Sequence, residues 1–344
     1  MAVRVVVNGI GVIGKRIAHA VRLQDDMNLV GISDVTATST LRTVLEPDGP
    51  LYKTDLYCSD PNRIEEMRNA GMYVKGTLEE LLQDGKVDVV VDATPKGIGA
   101  KNKELYKKYG VKAIFQGGEK ADVADMTFNS FVNFDEAKDK QFVRVPSCNT
   151  TALIRTLWTL SQLCEIEEAV VALVRRAADP VNPRKGPINA IVPNMDVPSH
   201  HGPDVKTVLK DLNIKTLAVV VPTTLAHTHV IHVESKNPPK KEEILEAFAK
   251  TPRILTFKAS HGYTSTAEII EHFRDILRPR YDMYEVAVWE ESINVMEDDI
   301  FWAQAVHSEA IVIPENIDAI RAMFGLAKDN WESIKKTNKT MGIY

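Results

Sequence analysis

Residues 3–22 read V-R-V-V-V-N-G-I-G-V-I-G-K-R-I-A-H-A-V-R. The run R-V-V-V-N (4–8) is a short apolar strand. It passes into Gly9, Gly11 and Gly14, which form G-x-G-x-x-G, and then into I-G-K-R-I-A-H-A-V-R-L (13–23). There Ile13, Ile17, Ala20 and Val21 recur at helical spacing. N-L-V-G-I-S (28–33) is a second strand, and Asp34 stands at its end. Strand, tight glycine turn, helix, strand and acid is the setting a dinucleotide fingerprint requires. The glycines allow backbone amides to approach a pyrophosphate, and the helix start offers unpaired N–H groups and a favourable dipole. A carboxylate at Asp34 accepts from ribose hydroxyls and repels a 2′-phosphate, which favours NAD over NADP.

Working outward, V-D-V-V-V-D-A (87–93), V-K-A-I-F-Q (111–116) and F-V-R-V-P (142–146) are near-continuous apolar strands. Such strands suit a parallel sheet covered on both faces. The helical stretches R-I-E-E-M-R-N-A and T-L-E-E-L-L-Q-D lie between them, giving the doubly wound (Rossmann) α/β pattern. From about residue 150 the style changes. A helix T-T-A-L-I-R-T-L-W-T-L-S-Q-L is followed by longer strands at 167–176, 215–222 and 227–234, with a polar, proline-rich segment at 179–204. That style predicts an α+β domain with a mixed or antiparallel sheet. Two helices are expected near the C-terminus, and their spacing does not say which domain they pack on.

The chain has 344 residues, which suggests two domains. Hydrophobic content of 44% and charged content of 26% are those of a soluble globular protein. A net charge of -5 with interleaved signs, as in K-K-E-E-I-L-E, gives no support for a nucleic-acid or membrane surface. Cysteines 58, 148 and 164 are odd in number and lack metal-site spacing, so the expected compartment is a reducing cytosol. M-A-V-R-V-V-V-N-G runs straight into a strand without a leader pattern, and no apolar run has the length of a membrane span.

Cys148 sits in S-C-N-T-T, where a strand ends and a helix begins. Ser147 and Asn149 are residue types that cap helices. A thiol at a helix start sees unpaired amides and the positive dipole end, which stabilise the thiolate, the reactive form. Such a nucleophile needs a base. His200 and His201 in P-S-H-H-G-P, and His227, His229 and His232 in A-H-T-H-V-I-H, are candidates. Strand alternation puts His227 and His229 on one face and His232 on the other. No cysteine or carboxylate joins the pair, so no metal is expected. Arg175 and Arg176 end a strand and, with the loop histidines, could line a pocket for phosphate groups.

N-G-I-G-V-I-G-K-R, F-Q-G-G-E-K, S-C-N-T-T, V-R-R-A-A-D-P, K-G-P-I-N-A-I-V-P-N, P-S-H-H-G-P-D-V, V-P-T-T-L-A-H-T-H, W-E-E-S-I and P-E-N-I-D-A-I-R-A-M occur in that order. On these stretches the chain resembles glyceraldehyde-3-phosphate dehydrogenase of the archaeal class. The resemblance implies phosphorylating oxidation of glyceraldehyde 3-phosphate, with NAD or NADP and inorganic phosphate, in glycolysis and gluconeogenesis. It implies Cys148 as nucleophile and His227 as general base, with His229 the rival. It places Ser147, Asn149, His200 and His201 against substrate or phosphate. Val12, Ile13, Gly117, Arg176 and Gln304 would contact the cofactor or lie beside it, with Gly9, Gly11, Gly14 and Asp34. It further implies a cytoplasmic homotetramer in which 1–147 and 304–344 form the nucleotide domain and 148–303 the catalytic domain.

One departure concerns Asp34, where archaeal relatives often carry a lysine suited to a 2′-phosphate. Thr36, Thr38 and Ser39 could still accommodate one. An aspartate-semialdehyde or acyl-phosphate reductase shares the cysteine logic, but P-S-H-H-G and S-C-N-T-T argue against it. A nucleotide-sensing regulator would be expected to have lost the cysteine or the base, and both are present.

Overall fold

The computed structural model describes residues 2–116, 118–182 and 184–344. The chain divides into two units, residues 1–147 with 313–341 and residues 148–312 with 342–344.

In the first unit, β1 (Val3–Asn8), β2 (Met27–Asp34), β3 (Leu56–Cys58), β4 (Gly76–Thr77), β5 (Val89–Asp92), β6 (Lys112–Gln116), β7 (Met126–Thr127) and β8 (Phe142–Val145) form one sheet. Its order is β4-β3-β2-β1-β5-β6-β8-β7, and every pair is parallel. The central strands are valine-rich because both faces are covered: Val5, Val6, Val7, Val89, Val90 and Val91 are 0% exposed. Each such side chain contributes about 1.5–3 kcal/mol. Val6, Leu81, Leu82, Val90, Tyr106 and Phe115 belong to one apolar cluster. The helix Gly14–Arg22 packs on β1, on β2 and on the helix Ile313–Phe324. The chain progresses outward in opposite directions from β1, so the ends of β1 and β5 form the switch point where parallel sheets bind ligands.

The C-terminal helices Ile313–Phe324 and Asn330–Met341 belong to this first unit. Buried polar groups fix them there. Glu315 accepts from the amide and hydroxyl of Ser130 at 2.8 and 2.5 Å, and the Arg321 Nε donates to Asp26 at 2.8 Å.

The second unit contains β9 (Glu168–Ala178), β10 (Val192–Pro193), β11 (Ile214–Thr224), β12 (Ala226–Glu234), β13 (Ile254–Phe257), β14 (Val286–Trp289), β15 (Asn294–Met296) and β16 (Asp299–His307). The order is β10-β11-β9-β12-β16-β14-β13, with β15 on β16. β9–β11 and β13–β14 are parallel and the other pairs antiparallel, so the sheet is mixed. The helix Cys148–Ser161 packs on β14 and β16. Its fully buried Arg155 donates to the carbonyls of Tyr284 and Ile311 at 2.7 and 2.9 Å.

Two boundaries differ from the sequence expectation. The return to the first unit comes after Val312 rather than at 304, because β16 runs unbroken to His307 inside the second sheet. Residues 342–344 also belong to the second unit. Arg278, ion-paired with Glu285 at 2.6 Å, donates to the Gly342 carbonyl at 2.9 Å.

Candidate active site

The glycine loop follows β1. Gly9 has φ +88°, and a Cβ there would lie 3.0 Å from the backbone of Ala93 and Thr94. A Cβ on Gly14 would lie 1.8 Å from the Gly9 carbonyl oxygen, so only glycine lets the helix start this close to the turn. Gly11 differs: a Cβ there meets nothing within 4 Å. That open space, above a helix start whose N-cap Ile13 makes no side-chain cap, is a cradle for an anion. Val12 and Ile13 are half-buried beside it. The Asp34 carboxylate accepts from the amides of Ile10 and Val35, both at 2.7 Å, and of Thr36 at 3.3 Å. It holds the loop and leaves lone pairs for a further donor. Thr38 is occupied as the cap of the helix Ser39–Leu45. Below the loop, Ser59 donates to Asn8 at 2.5 Å, and Tyr106 and Asn102 donate to Asp92 at 2.6 and 2.8 Å. These bonds lock the ends of β1, β3 and β5. The residues present therefore fit a dinucleotide. Gly117 lies outside the described residues.

In the second unit Cys148 is the first residue of its helix and is partly exposed. Its Sγ lies 3.4 Å from His227 Nε2. The β9–β12 ladder stops at Val174–Thr228, and the Arg176 amide just beyond it donates to His227 Nδ1 at 2.9 Å. Burial pushes the Cys148 thiol up, while the charges of Arg176 and Arg175 and the amides of Asn149 and Cys148 pull it back. His227 is held well below the usual histidine range, by burial first and then by His229, Arg176 and Arg175. Arg175 has a buried Nε without a hydrogen-bond partner, and burial lowers its pKa although Cys148 opposes this. Arg176, expected beside a cofactor, uses its guanidinium on Asp179 at 2.5 Å and on Ser308 at 3.0 Å.

The other expected residues divide by burial. Ser147 is half-buried and His200 exposed. Asn149 and His201 are each 2% exposed. Asn149 Oδ1 lies 2.9 Å from His229 Nε2, and its Nδ2 lies 3.4 Å from His201 Nε2. His201 stacks on His200 with ring centroids 4.1 Å apart. Thr150 donates to Asp204 at 2.7 Å, tying the cysteine helix to the helix His201–Val205. Gln304 is 0% exposed; its Oε1 accepts from Trp302 Nε1 at 2.9 Å and its Nε2 lies 3.2 Å from His229 Nδ1. His232, on the opposite face, pairs with Asp299 at 2.5 Å. Sequence reasoning left out Ser199, Thr216 and Trp302. The alternation of β16, which puts Trp302 and Gln304 on one face, carried a signal for the last of these.

Among the described residues no three His, Cys, Asp or Glu side chains are grouped to hold a metal ion, and no helix is long and apolar enough to cross a membrane. The family model "Glyceraldehyde 3-phosphate dehydrogenase, C-terminal domain" matches residues 147–292, and "Dihydrodipicolinate reductase, N-terminus" matches residues 3–123. A glyceraldehyde-3-phosphate dehydrogenase of Methanothermobacter thermautotrophicus is 50% identical over 342 residues, 99% of each chain. Those of Pyrococcus furiosus and Thermococcus kodakarensis are 50% identical over 348 residues, covering 100% of this chain and 99% of theirs. At this identity over the full length, with the cysteine of the family's catalytic domain at the start of a helix, the chain belongs to the glyceraldehyde-3-phosphate dehydrogenase family.

Proposed function

We propose that this enzyme oxidises glyceraldehyde 3-phosphate with inorganic phosphate to 1,3-bisphosphoglycerate through a thioester on Cys148. This is a step of glycolysis, run backwards in gluconeogenesis. The observation that carries the reading is Cys148 at a helix start, 3.4 Å from His227 Nε2 and within the fields of Arg175 and Arg176.

Each residue's role follows from its donors. Because the Arg176 amide donates to Nδ1, the neutral His227 ring keeps its proton on Nε2, facing Cys148. On this reading His227 acts as a hydrogen-bond donor to the reacting oxygen, where the resemblance implies a general base. The Cys148 thiolate adds to the aldehyde carbon, and the carbonyl oxygen becomes an alkoxide that Nε2–H stabilises. A nicotinamide ring, when bound, supplies the hydride acceptor that turns this alkoxide into a thioester. Inorganic phosphate, drawn by the positive charges of Arg175 and Arg176, attacks the thioester carbonyl. Cys148 leaves as thiolate, the acyl phosphate forms, and the remaining phosphate proton passes to solvent. A thioester keeps the oxidation energy in a form that phosphate intercepts, where direct hydration would yield a carboxylate.

Gly9, Gly11, Gly14 and the helix start would hold the pyrophosphate, and Asp34 the ribose. The carboxylate of Asp34 supports NAD over NADP. Self-association as a homotetramer is supported by apolar side chains of the 179–204 segment: Ile188, Ile191, Met195 and Val197 are 89%, 67%, 82% and 65% exposed. Free Cys58, Cys148 and Cys164 fit a reducing cytoplasm, where we place the enzyme.

The test is phosphate-dependent reduction of the nicotinamide cofactor with glyceraldehyde 3-phosphate. Cys148→Ser is expected to abolish it. A serine variant that keeps near-native turnover would sink the thioester route.

A further inference from the structure

The wall behind Cys148 is a chain of buried side chains whose hydrogen-bond directions are all determined. Trp302 Nε1–H, which can only donate, gives to Gln304 Oε1 at 2.9 Å. The Gln304 amide nitrogen must then face His229 Nδ1, at 3.2 Å, and donate to it. With Nδ1 accepting, the His229 proton sits on Nε2 and goes to Asn149 Oδ1 at 2.9 Å. The Asn149 amide nitrogen therefore donates to His201 Nε2 at 3.4 Å, which puts the His201 proton on Nδ1, 3.0 Å from Ser199 Oγ. Ser199 gives its proton to Thr216 Oγ1 at 2.8 Å, and Thr216 donates to the Ser199 carbonyl at 2.9 Å. The Gly202 amide, at 3.0 Å, fills the last acceptor site on Thr216. All seven side chains are at most 2% exposed, so the chain is shielded from bulk water.

We propose that Gln304, oriented by Trp302, is a positioning residue that sets the proton order of this chain. It fixes His229 as the Nε2–H tautomer and His201 as the Nδ1–H tautomer, and holds the side-chain amide of Asn149, the residue after Cys148, between the two rings. This deepens the function proposed above and rests on it for its catalytic consequence. A single reversal at Gln304 would propagate, because each histidine offers one donor and one acceptor and each amide distinguishes its two ends. Two neutral rings result, and their pKa values, pushed down to about 3 mainly by burial, agree with that. The titratable and charged groups around the chain are His227 on β12, Arg175 and Arg176 on β9, Cys148, and His200 stacked on His201.

The experiment is nitrogen-15 NMR of the full-length enzyme, selectively labelled at histidine, titrated from about pH 5 to pH 9. The native protein is expected to show His229 protonated on Nε2 and His201 on Nδ1 throughout, with neither ring titrating. Gln304→Glu keeps the shape and still accepts from Trp302, but presents an acceptor to His229 Nδ1. That ring must take a proton there, so a new ionisation appears in its spectrum and in the pH profile of kcat. The rate falls on the order of 10- to 100-fold through misplaced groups. Gln304→Met, which removes both ends of the amide, is expected to lower kcat without creating the ionisation. A native His229 protonated on Nδ1 overturns the proposal, as does a folded Gln304→Glu enzyme with unchanged tautomers and pH profile. If Gln304→Glu fails to fold, the native spectra decide alone. Native tautomers as stated in a protein inert toward glyceraldehyde 3-phosphate would refute the proposed function and leave the proton order standing.

Discussion

Replacing His227 by glutamine and by phenylalanine separates a hydrogen-bond donor from a general base. The glutamine amide reaches the region of the imidazole Nε2 and donates, but takes up no proton. Phenylalanine keeps a ring and does neither. In the native site Nε2 lies 3.4 Å from Cys148 Sγ, and Nδ1 is used by the Arg176 amide at 2.9 Å. A hydrogen bond to a charged group contributes about 1.5–3 kcal/mol. At about 1.4 kcal/mol per decade that is roughly 10- to 150-fold in rate. His227→Phe should slow thioester formation by about that factor, and His227→Gln should stay within about tenfold of native. A base would contribute about 10²- to 10⁴-fold, and both variants would lose it equally. The assay is a single turnover of cofactor reduction at saturating glyceraldehyde 3-phosphate without inorganic phosphate, which isolates the steps up to the thioester. Alkylation of Cys148 by iodoacetamide across pH reports the thiolate in the same variants. Glutamine and phenylalanine variants that are both native in fold and equally slow, by two decades or more, would refute the donor assignment.

Arg175→Met removes one of the charges that pull the Cys148 thiol down, so alkylation should shift to higher pH and the Michaelis constant for inorganic phosphate should rise; an unchanged profile and constant refute the assignment. Gly11→Ala points its methyl into open space and should melt like the native protein while binding the cofactor more weakly, read by titration calorimetry. Gly14→Ala places a methyl 1.8 Å from a carbonyl oxygen and should also lower stability, by about 1–3 kcal/mol in urea unfolding. Asp34→Asn keeps an acceptor for the Ile10 amide but removes the negative charge, and should raise the NADP-to-NAD ratio of kcat/KM by about tenfold or more. A ratio that does not move removes Asp34 from cofactor selection.

The nucleotide unit was legible where the strands are long enough to show a run and the glycines must be glycines. Val5 to Val7 and Val89 to Val91 announce a sheet buried on both faces, and G-x-G-x-x-G fixes the turn after the first of them. β3, β4 and β7 have three residues or fewer, too short for any periodicity to register. The helix Ile98–Lys108 escaped for a different reason. It buries only Gly99 and Tyr106, so it has no apolar stripe to read. The return point was misplaced because β16 continues the catalytic sheet past residue 304, and strand pairing is a long-range property.

The site was legible as residue types and not as roles. Alternation along β12 put His227 and His229 on one face, and nothing in their spacing separates them. What separates them is what each ring's far nitrogen touches: a backbone amide for His227 and the Gln304 amide for His229. Both contacts donate to Nδ1, so each neutral ring carries its one N–H proton on Nε2, turned toward the cysteine helix, His227 toward Cys148 and His229 onto Asn149. This has an electrostatic consequence. The positive charges acting on Cys148 come from Arg175 and Arg176, while burial pushes the pKa values of His227, His229 and His201 below the usual histidine range. A protonated His227 would add a third positive charge to a buried cluster and oppose the Arg176 amide, so in the proposed mechanism that histidine acts through its hydrogen-bond direction and the arginines through charge.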